Sequence, residues 1–296
     1  MLRRESIFRD VVPVECGMRE CFPTMAGVQK TSFTFNHGRY CMGKLDGKTA
    51  IVTGSSYGIG KGIALRLGRD GANIVVNYSK SEEKANEVVS EIEKGGSKAV
   101  SVKANVSKSG EVKGLIDVCI ETFGGIDILV NNAGTNGRIA PIEEITEEDW
   151  DHIIDTNLKG HFLCIMHALP HMLKKKRGRI INLGSIDSFV GDPNFSTYVS
   201  SKHGIVGLTR SLALELGPKG ITVNAVCPGF VDTPSADIIE KLYPGVKDAV
   251  GKKIPTGRLL RPEDVAAVAS FLASEEAEMV NGSCIVVDGG MMLNVN

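Results

Sequence analysis

From Lys48 to Asp288 the chain alternates short apolar runs with longer stretches whose apolar positions recur at helical spacing. Thr49 to Thr53 is β-rich and nearly all apolar, the composition of a strand covered on both faces. Gly54-Ser55-Ser56-Tyr57-Gly58-Ile59-Gly60 follows, then a helical pattern to about Arg69. The alternation continues with a strand at Asn73 to Asn77 and a helix from Glu82 to about Lys94, stopped by Gly95-Gly96. A strand at Lys98 to Lys103, a helix from Glu111 to Phe123 and a strand at Asp127 to Val130 complete the first half. In the second half one long helix is expected from Glu147 to about Met172, with Asn157 inside it and Pro170 near its end. Gly160 is a candidate for a local irregularity in that helix. A strand at Arg179 to Leu183, a helix from Thr197 to Leu216 and a strand at Ile221 to Val226 come next. A short apolar-faced helix around Ile238, Ile239 and Leu242, a helix opened by Pro262 and a last strand at Cys284 to Val287 close the pattern. Strand and helix units alternating at this length predict an α/β fold: a single doubly wound domain with a central parallel sheet flanked by helices on both faces.

The pattern begins near Met42. The first 43 residues show no sustained period and mix Pro13, Gly17, Pro23, Gly27 and Gly38 with polar residues. They are expected to form a poorly ordered extension, or to lie upstream of a natural start at Met42, leaving 44–296 as the folded domain. Composition then narrows the function classes. The 296 residues are 42% hydrophobic, enough for a sizeable core, and 34 basic against 35 acidic residues imply no polyanion-binding surface. No apolar stretch is long enough to span a bilayer, and no secretory signal is evident. Seven cysteines without a CxxC pair read as free thiols in a reducing, cytoplasmic setting. The six histidines form no spaced metal motif, so no metal is expected.

Candidate chemistry sits where the strands end. Glycines at 54, 58 and 60, between a strand and a helix, allow a tight turn and a close approach of backbone N–H groups to a diphosphate. Ligands of such sheets bind at the carboxyl ends of the strands, where Asn131-Asn132-Ala133-Gly134 also falls. Tyr198 and Lys202 lie one turn apart on one helix, so the ammonium favours the phenolate and the pair is suited to general acid/base work on an alcohol or ketone oxygen. Ser185, at a strand's carboxyl end, offers a hydroxyl to such an oxygen; Asp187 and Ser188 are nearby alternatives between which spacing does not choose. A serine hydrolase is disfavoured, because Leu183-Gly184-Ser185-Ile186-Asp187 lacks the second glycine of a nucleophile elbow.

Taken in order, these motifs resemble the classical short-chain dehydrogenase/reductase family over roughly Lys44 to Asn296, with glucose dehydrogenases and 3-oxoacyl-carrier-protein reductases nearest in appearance. The resemblance implies a Rossmann-type fold and hydride transfer between a nicotinamide cofactor and a carbonyl or secondary alcohol. It implies Asn157, Ser185, Tyr198 and Lys202 as the catalytic set, with Lys202 also holding the nicotinamide ribose and Asn157 retaining a water. The implied cofactor contacts are Gly54, Ser56, Tyr57, Gly58, Ile59 and Gly60 at the turn, and Asn77, Tyr78 and Ser79 after the second strand. Asn105 and Val106 follow the third strand, Asn132, Ala133 and Gly134 the fourth, and Pro228, Gly229, Val231 and Thr233 complete the set with Tyr198 and Lys202. Asn105 stands where many members carry an aspartate. No acid closes the second strand, and Ser79 and Lys80 offer themselves to a 2′-phosphate, which favours NADP(H) and leaves NAD(H) or dual use open. Segment 228–260 is expected to shape the substrate site, and the assembly to be a homotetramer acting on a small molecule, with neither nucleic acid nor membrane as partner. The alternative is a non-catalytic dinucleotide-binding or scaffold protein on the same fold.

Overall fold

The computed structural model describes residues 43–293; the expected extension and the start site at Met42 lie outside the described residues but for Gly43. Seven parallel strands form one sheet among the described residues. They are β1 (Thr49–Val52), β2 (Asn73–Tyr78), β3 (Ala99–Lys103), β4 (Ile128–Asn131), β5 (Gly178–Leu183), β6 (Ile221–Pro228) and β7 (Cys284–Val287), in the order β3-β2-β1-β4-β5-β6-β7. The helices are α1 (Gly58–Arg69), α2 (Glu82–Lys94), α3 (Ser109–Phe123), α4 (Glu147–Ile154), α5 (Gly160–Lys175), α6 (Ser196–Leu216), α7 (Pro234–Leu242), α8 (Val246–Lys253) and α9 (Pro262–Ala273).

Alternation along each strand divides the interior into two cores. Ala50 and Val52 of β1, with Ile74 and Val76 of β2, pack with Ile63 and Leu67 of α1, Val88 of α2 and Val265 of α9. Ile51 and Val75, pointing the other way, pack with Leu115 and Ile116 of α3, Leu163 and Ile165 of α5 and Leu216 of α6. Because both faces are covered, the strands read as continuous apolar runs: β1, β5 and β6 are buried throughout.

The expected long helix over Glu147–Met172 is interrupted. α4 starts on a reciprocal cap, Thr146 Oγ1 accepting from the Asp149 N–H while the Asp149 carboxylate accepts from the Thr146 N–H. It gives way to a single π-helical turn at Asp155–Lys159, after which α5 resumes as an α-helix. Gly160 stands at that junction for want of room: a Cβ there would come within 2.8 Å of Val106 Cγ2. The apolar-faced segment after β6 holds two helices, α7 and α8, where one was expected.

Strand order reverses between β1 and β4: β2 and β3 lie on one side, β5 to β7 on the other. The loops that leave β1 and β4 therefore diverge around a crevice at the carboxyl edge of the sheet, the place where open α/β sheets take their ligands.

Candidate active site

The floor of the crevice is built from backbone. Gly54 and Gly58 have φ near +60° and +58°, a conformation that favours glycine. A Cβ on Gly60 would fall 2.4 Å from both Asn132 Nδ2 and the Gly54 carbonyl. Asn132 Nδ2 donates to the Thr53 and Gly54 carbonyls at 2.8 and 3.0 Å, while the Asn132 and Ala133 N–H groups donate to Thr53 Oγ1. From the other flank the Gly54 N–H donates to Asn77 Oδ1 at 3.0 Å, and Asn77 Nδ2 donates to the Ala104 carbonyl. The turn is thus latched to β2 and β4 at once. α1 then begins with no side-chain cap at Tyr57 and no acid in its first turn. Its leading N–H groups and positive dipole end are left for an anion. This cradle fits the diphosphate of a dinucleotide.

Several residues expected to touch that dinucleotide have their side chains engaged by the protein. The amides of Asn77 and Asn132 are occupied by the backbone of the turn, because a loop of glycines needs side-chain latches to hold one shape. Tyr78 is buried in the core beneath β2, because the pleat turns it away from the edge at which Ser79 and Lys80 are exposed. Val106 is likewise buried, against Gly160. Asn105 is exposed; its Oδ1 accepts from the Ser107 N–H and hydroxyl, so Nδ2 is the group it can offer. Ile59 is half-buried against the core, Ser56 buried and Tyr57 exposed. Pro228 ends β6, and the Gly229 N–H donates to the Val287 carbonyl. A Cβ on Gly229 would meet Asp288 at 2.9 Å. Val231 is buried, and Thr233 caps α7 while its methyl lies near Gly58, bringing the start of segment 228–260 over the glycine turn.

The second wall carries the titratable groups. Lys202 is buried, donates from Nζ to the Leu183 carbonyl at 2.8 Å and lies 5.4 Å from the centre of the Tyr198 ring. Tyr198 packs edge-on against Phe195, ring centres 6.3 Å apart. Asn157, in the π-turn, accepts from the Thr135 N–H at 2.8 Å and donates to the Thr135 carbonyl and to Ser201 Oγ. Ser201 Oγ in turn donates to the Tyr198 carbonyl at 2.7 Å. This chain of bonds fixes the loop after β4 to the helix that bears Tyr198 and supplies the internal partner a buried asparagine needs.

Of the three candidates at the end of β5, one is set apart and two are joined. Ser188 is buried and its Oγ accepts from the Ser185 N–H, a local cap. Ser185 Oγ donates to Asp187 Oδ2 at 3.1 Å and accepts from the Asp187 N–H at 3.1 Å. Burial holds the Tyr198 phenol above its ordinary range, with the Asp187 carboxylate adding to the rise and the Ser185 hydroxyl drawing it part of the way back. The same burial lowers the Lys202 ammonium to about 8. Burial penalises both charged forms at once, so the protein's own groups leave the phenol protonated, and the rest of the stabilisation of the phenolate falls to a bound cationic cofactor ring.

Three features escaped sequence reasoning. Asn131 Nδ2 donates to Asn182 Oδ1, and Asn182 Nδ2 donates to Thr209 Oγ1, a buried ladder that orients α6 on β4 and β5. Its only signal in the sequence is an asparagine at the end of one apolar run and another within the next strand. His161, one turn beyond Asn157, is buried beside Lys202. Asp187 was one of three candidates, and its bond to Ser185 has no signature beyond proximity in sequence.

A family model described as Enoyl-(Acyl carrier protein) reductase matches residues 54–292. The 3-oxoacyl-[acyl-carrier-protein] reductase of Staphylococcus aureus is 45% identical over 246 residues, which cover 83% of this chain and 98% of that relative. Glucose 1-dehydrogenase 2 of Bacillus subtilis is 45% identical over 250 residues, 84% of this chain and 96% of its own. The crystal structure of levodione reductase superposes with a TM-score of 0.80 at 31% identity, covering 84% of this chain and 99% of that one.

Proposed function

The chain belongs to the short-chain dehydrogenase/reductase family and is a nicotinamide-dependent oxidoreductase; from that premise we propose that it interconverts a carbonyl and a secondary alcohol, with Tyr198 as general acid/base. The observation that supports this reading is the meeting of Ser185, Tyr198 and Lys202 on one wall of a crevice whose floor is an anion cradle. A nicotinamide dinucleotide supplies or accepts the hydride when bound.

The chain's own residues do the rest. The backbone of Gly54 to Gly60, with Ser56, Tyr57 and Ile59, receives the diphosphate, in a shape held by Asn77 and Asn132. Asn105 Nδ2 and the segment at Val106 meet the adenine, Ala133 and Gly134 line the ribose side, and Pro228, Gly229, Val231 and Thr233 flank the nicotinamide. In reduction Tyr198 Oη donates a proton to the substrate oxygen; in oxidation it takes that proton away. Ser185 Oγ orients the same oxygen, an interaction worth most as negative charge develops there. Lys202 favours the phenolate as it forms and holds the nicotinamide ribose. Asn157 keeps the π-turn in place and retains the water that connects Lys202 to solvent. A non-catalytic scaffold gives no reason for an ammonium to be buried beside a phenol.

Ser79 and Lys80, exposed and without protein hydrogen bonds or ion pairs among the described residues, favour NADP(H) over NAD(H). Michaelis constants for both cofactors, and their convergence in Lys80→Ala, test that preference. We place the enzyme in the cytoplasm as a homotetramer acting on a small molecule without nucleic acid or membrane; among the described residues no helix is long and apolar enough to cross a membrane. The relatives named above act, by their names, on 3-oxoacyl-[acyl-carrier-protein], on glucose and on levodione, and segment 228–260 is where such substrates are told apart.

The decisive experiment is Tyr198→Phe, assayed by absorbance of the reduced nicotinamide over a panel of ketones and alcohols. Turnover falls by about 10²–10⁴ with cofactor affinity retained. Wild-type turnover in that variant overturns the assignment.

A further inference from the structure

Resting on that reading of Ser185 and Tyr198, we infer that Asp187 is a second substrate anchor, taking a hydrogen bond from a hydroxyl or ammonium on the carbon next to the reacting one and thereby freeing the Ser185 proton for the reacting oxygen. A serine hydroxyl has a single proton to give. Ser185 Oγ gives it to Asp187 Oδ2 at 3.1 Å, while one of its two lone pairs receives the Asp187 N–H. Held this way, the hydroxyl turns its proton toward the carboxylate, which competes for it with Tyr198 and with a substrate oxygen.

The same carboxylate works against the acid/base itself, because a negative charge beside Tyr198 opposes the phenolate. Burial raises the Asp187 carboxyl, Asp192 adds to the rise, and Ser185, Lys202 and His203 pull it down. An anion here hinders both partners of the reaction unless something neutralises or occupies it. Among the described residues, no side-chain donor other than Ser185 hydrogen-bonds to this carboxylate, and the side chain is only half-buried. A carboxylate has room for several donors.

Substrate chemistry supplies the missing donor. Ser185 Oγ and Asp187 Oδ2 are in direct contact, so an oxygen held by one and a donor held by the other lie at the spacing of groups on adjacent carbons. A vicinal diol, or an amino alcohol in its ammonium form, satisfies both. A plain secondary alcohol leaves Ser185 locked on Asp187, and a neighbouring anion is repelled.

Three alcohols of one skeleton test this in the oxidising direction: propane-1,2-diol, 1-aminopropan-2-ol and butan-2-ol, each assayed with NADP⁺ and NAD⁺. The expected result is a kcat/KM for the diol, the amino alcohol or both at least about tenfold above butan-2-ol. In Asp187→Leu that ratio collapses to about one, with the butan-2-ol value rising. Asp187→Asn, which keeps an acceptor oxygen, retains a preference for the diol and loses any for the amino alcohol. If only the diol leads in the wild type the donor is a hydroxyl; if only the amino alcohol, an ammonium. A ratio unchanged in Asp187→Leu, equal losses on all three alcohols, or butan-2-ol leading in the wild type overturns the inference. Should Asp187→Leu fail to fold, Asp187→Asn with cofactor affinity measured by fluorescence carries the same comparison. Tyr198→Phe separates the two levels: retained turnover there sinks the acid/base reading, whereas the alcohol ratio answers for Asp187.

Discussion

His161 lies wholly buried in α5 with neither ring nitrogen hydrogen-bonded to protein. Burial first, and the Lys202 ammonium second, lower its pKa to about 3, with the Ala133 backbone pulling weakly the other way. The unfolded chain therefore takes up a proton near pH 6.5 that the folded chain refuses until about pH 3. Stability from this site is complete above pH 6.5 and declines as pH falls toward 3. His161→Leu removes that dependence: urea midpoints between pH 4 and 6.5 fall less steeply than in the wild type. At pH 7 the variant is neutral to mildly stabilised, because apolar atoms replace two unpartnered polar ones. The buried lysine beside it is a different case. Lys202 at about 8 becomes the group that titrates at mildly alkaline pH, and Lys202→Met is expected to abolish a basic limb of the pH–rate profile as well as lowering kcat.

Elements depend on a few contacts at their ends. α1 can start where it does only because Gly60 has no side chain. In Gly60→Ala the new methyl meets Asn132 Nδ2 and the Gly54 carbonyl at 2.4 Å, one of them backbone that cannot step aside. Stability falls by about 1–3 kcal/mol and cofactor affinity by more than tenfold, read by thermal unfolding and by fluorescence titration. α9 rests on a different device. The Asp264 carboxylate accepts from the Arg261 N–H at 2.7 Å and takes a two-pronged bond from Arg258 at 2.7 and 2.9 Å, which holds its pKa near 2. Asp264→Ala is expected to cost about 1 kcal/mol, as loss of an N-terminal cap does, and thermal unfolding of the two proteins checks it. The π-turn between α4 and α5 belongs to the same scale: one extra residue in the ladder lets Asn157 face Thr135 and Ser201 while the helix continues on its axis.

On the scale of the whole molecule, two cores on opposite faces of one sheet explain why α1, α2 and α9 behave as one layer and α3, α5 and α6 as another. The second layer leaves a stripe uncovered: Phe162, Met166 and Leu173 of α5 are 48, 40 and 36% exposed on one face, with Trp150 of α4 also exposed. Among the described residues β7 is an edge of the sheet, with Val286 exposed. Such exposed apolar surfaces are candidates for the interfaces of the tetramer proposed above. Phe162→Glu is expected to shift the assembly to smaller species in sedimentation velocity while leaving cofactor binding intact; an unchanged sedimentation coefficient would remove this stripe from the interface.

Much of this protein was legible in order along the chain. The strands, the glycine turn and the Tyr198–Lys202 pair follow from local rules: alternation, helical spacing, and the backbone angles that favour glycine at Gly54 and Gly58. The interruption at Asp155–Lys159 was visible only as a glycine out of place, because a π-turn has no periodicity of its own. What the fold alone decided is everything that depends on distant segments meeting. The pairing of β1 with β4 brought Asn132 to the Thr53 carbonyl and the pairing of β1 with β2 brought Asn77 to the Gly54 N–H, so both asparagines latch the cradle. Burial decided the protonation of Tyr198, Lys202 and His161. Periodicity is written residue by residue, whereas solvent exclusion and the direction of a side chain exist only once the sheet and its helices have closed around them.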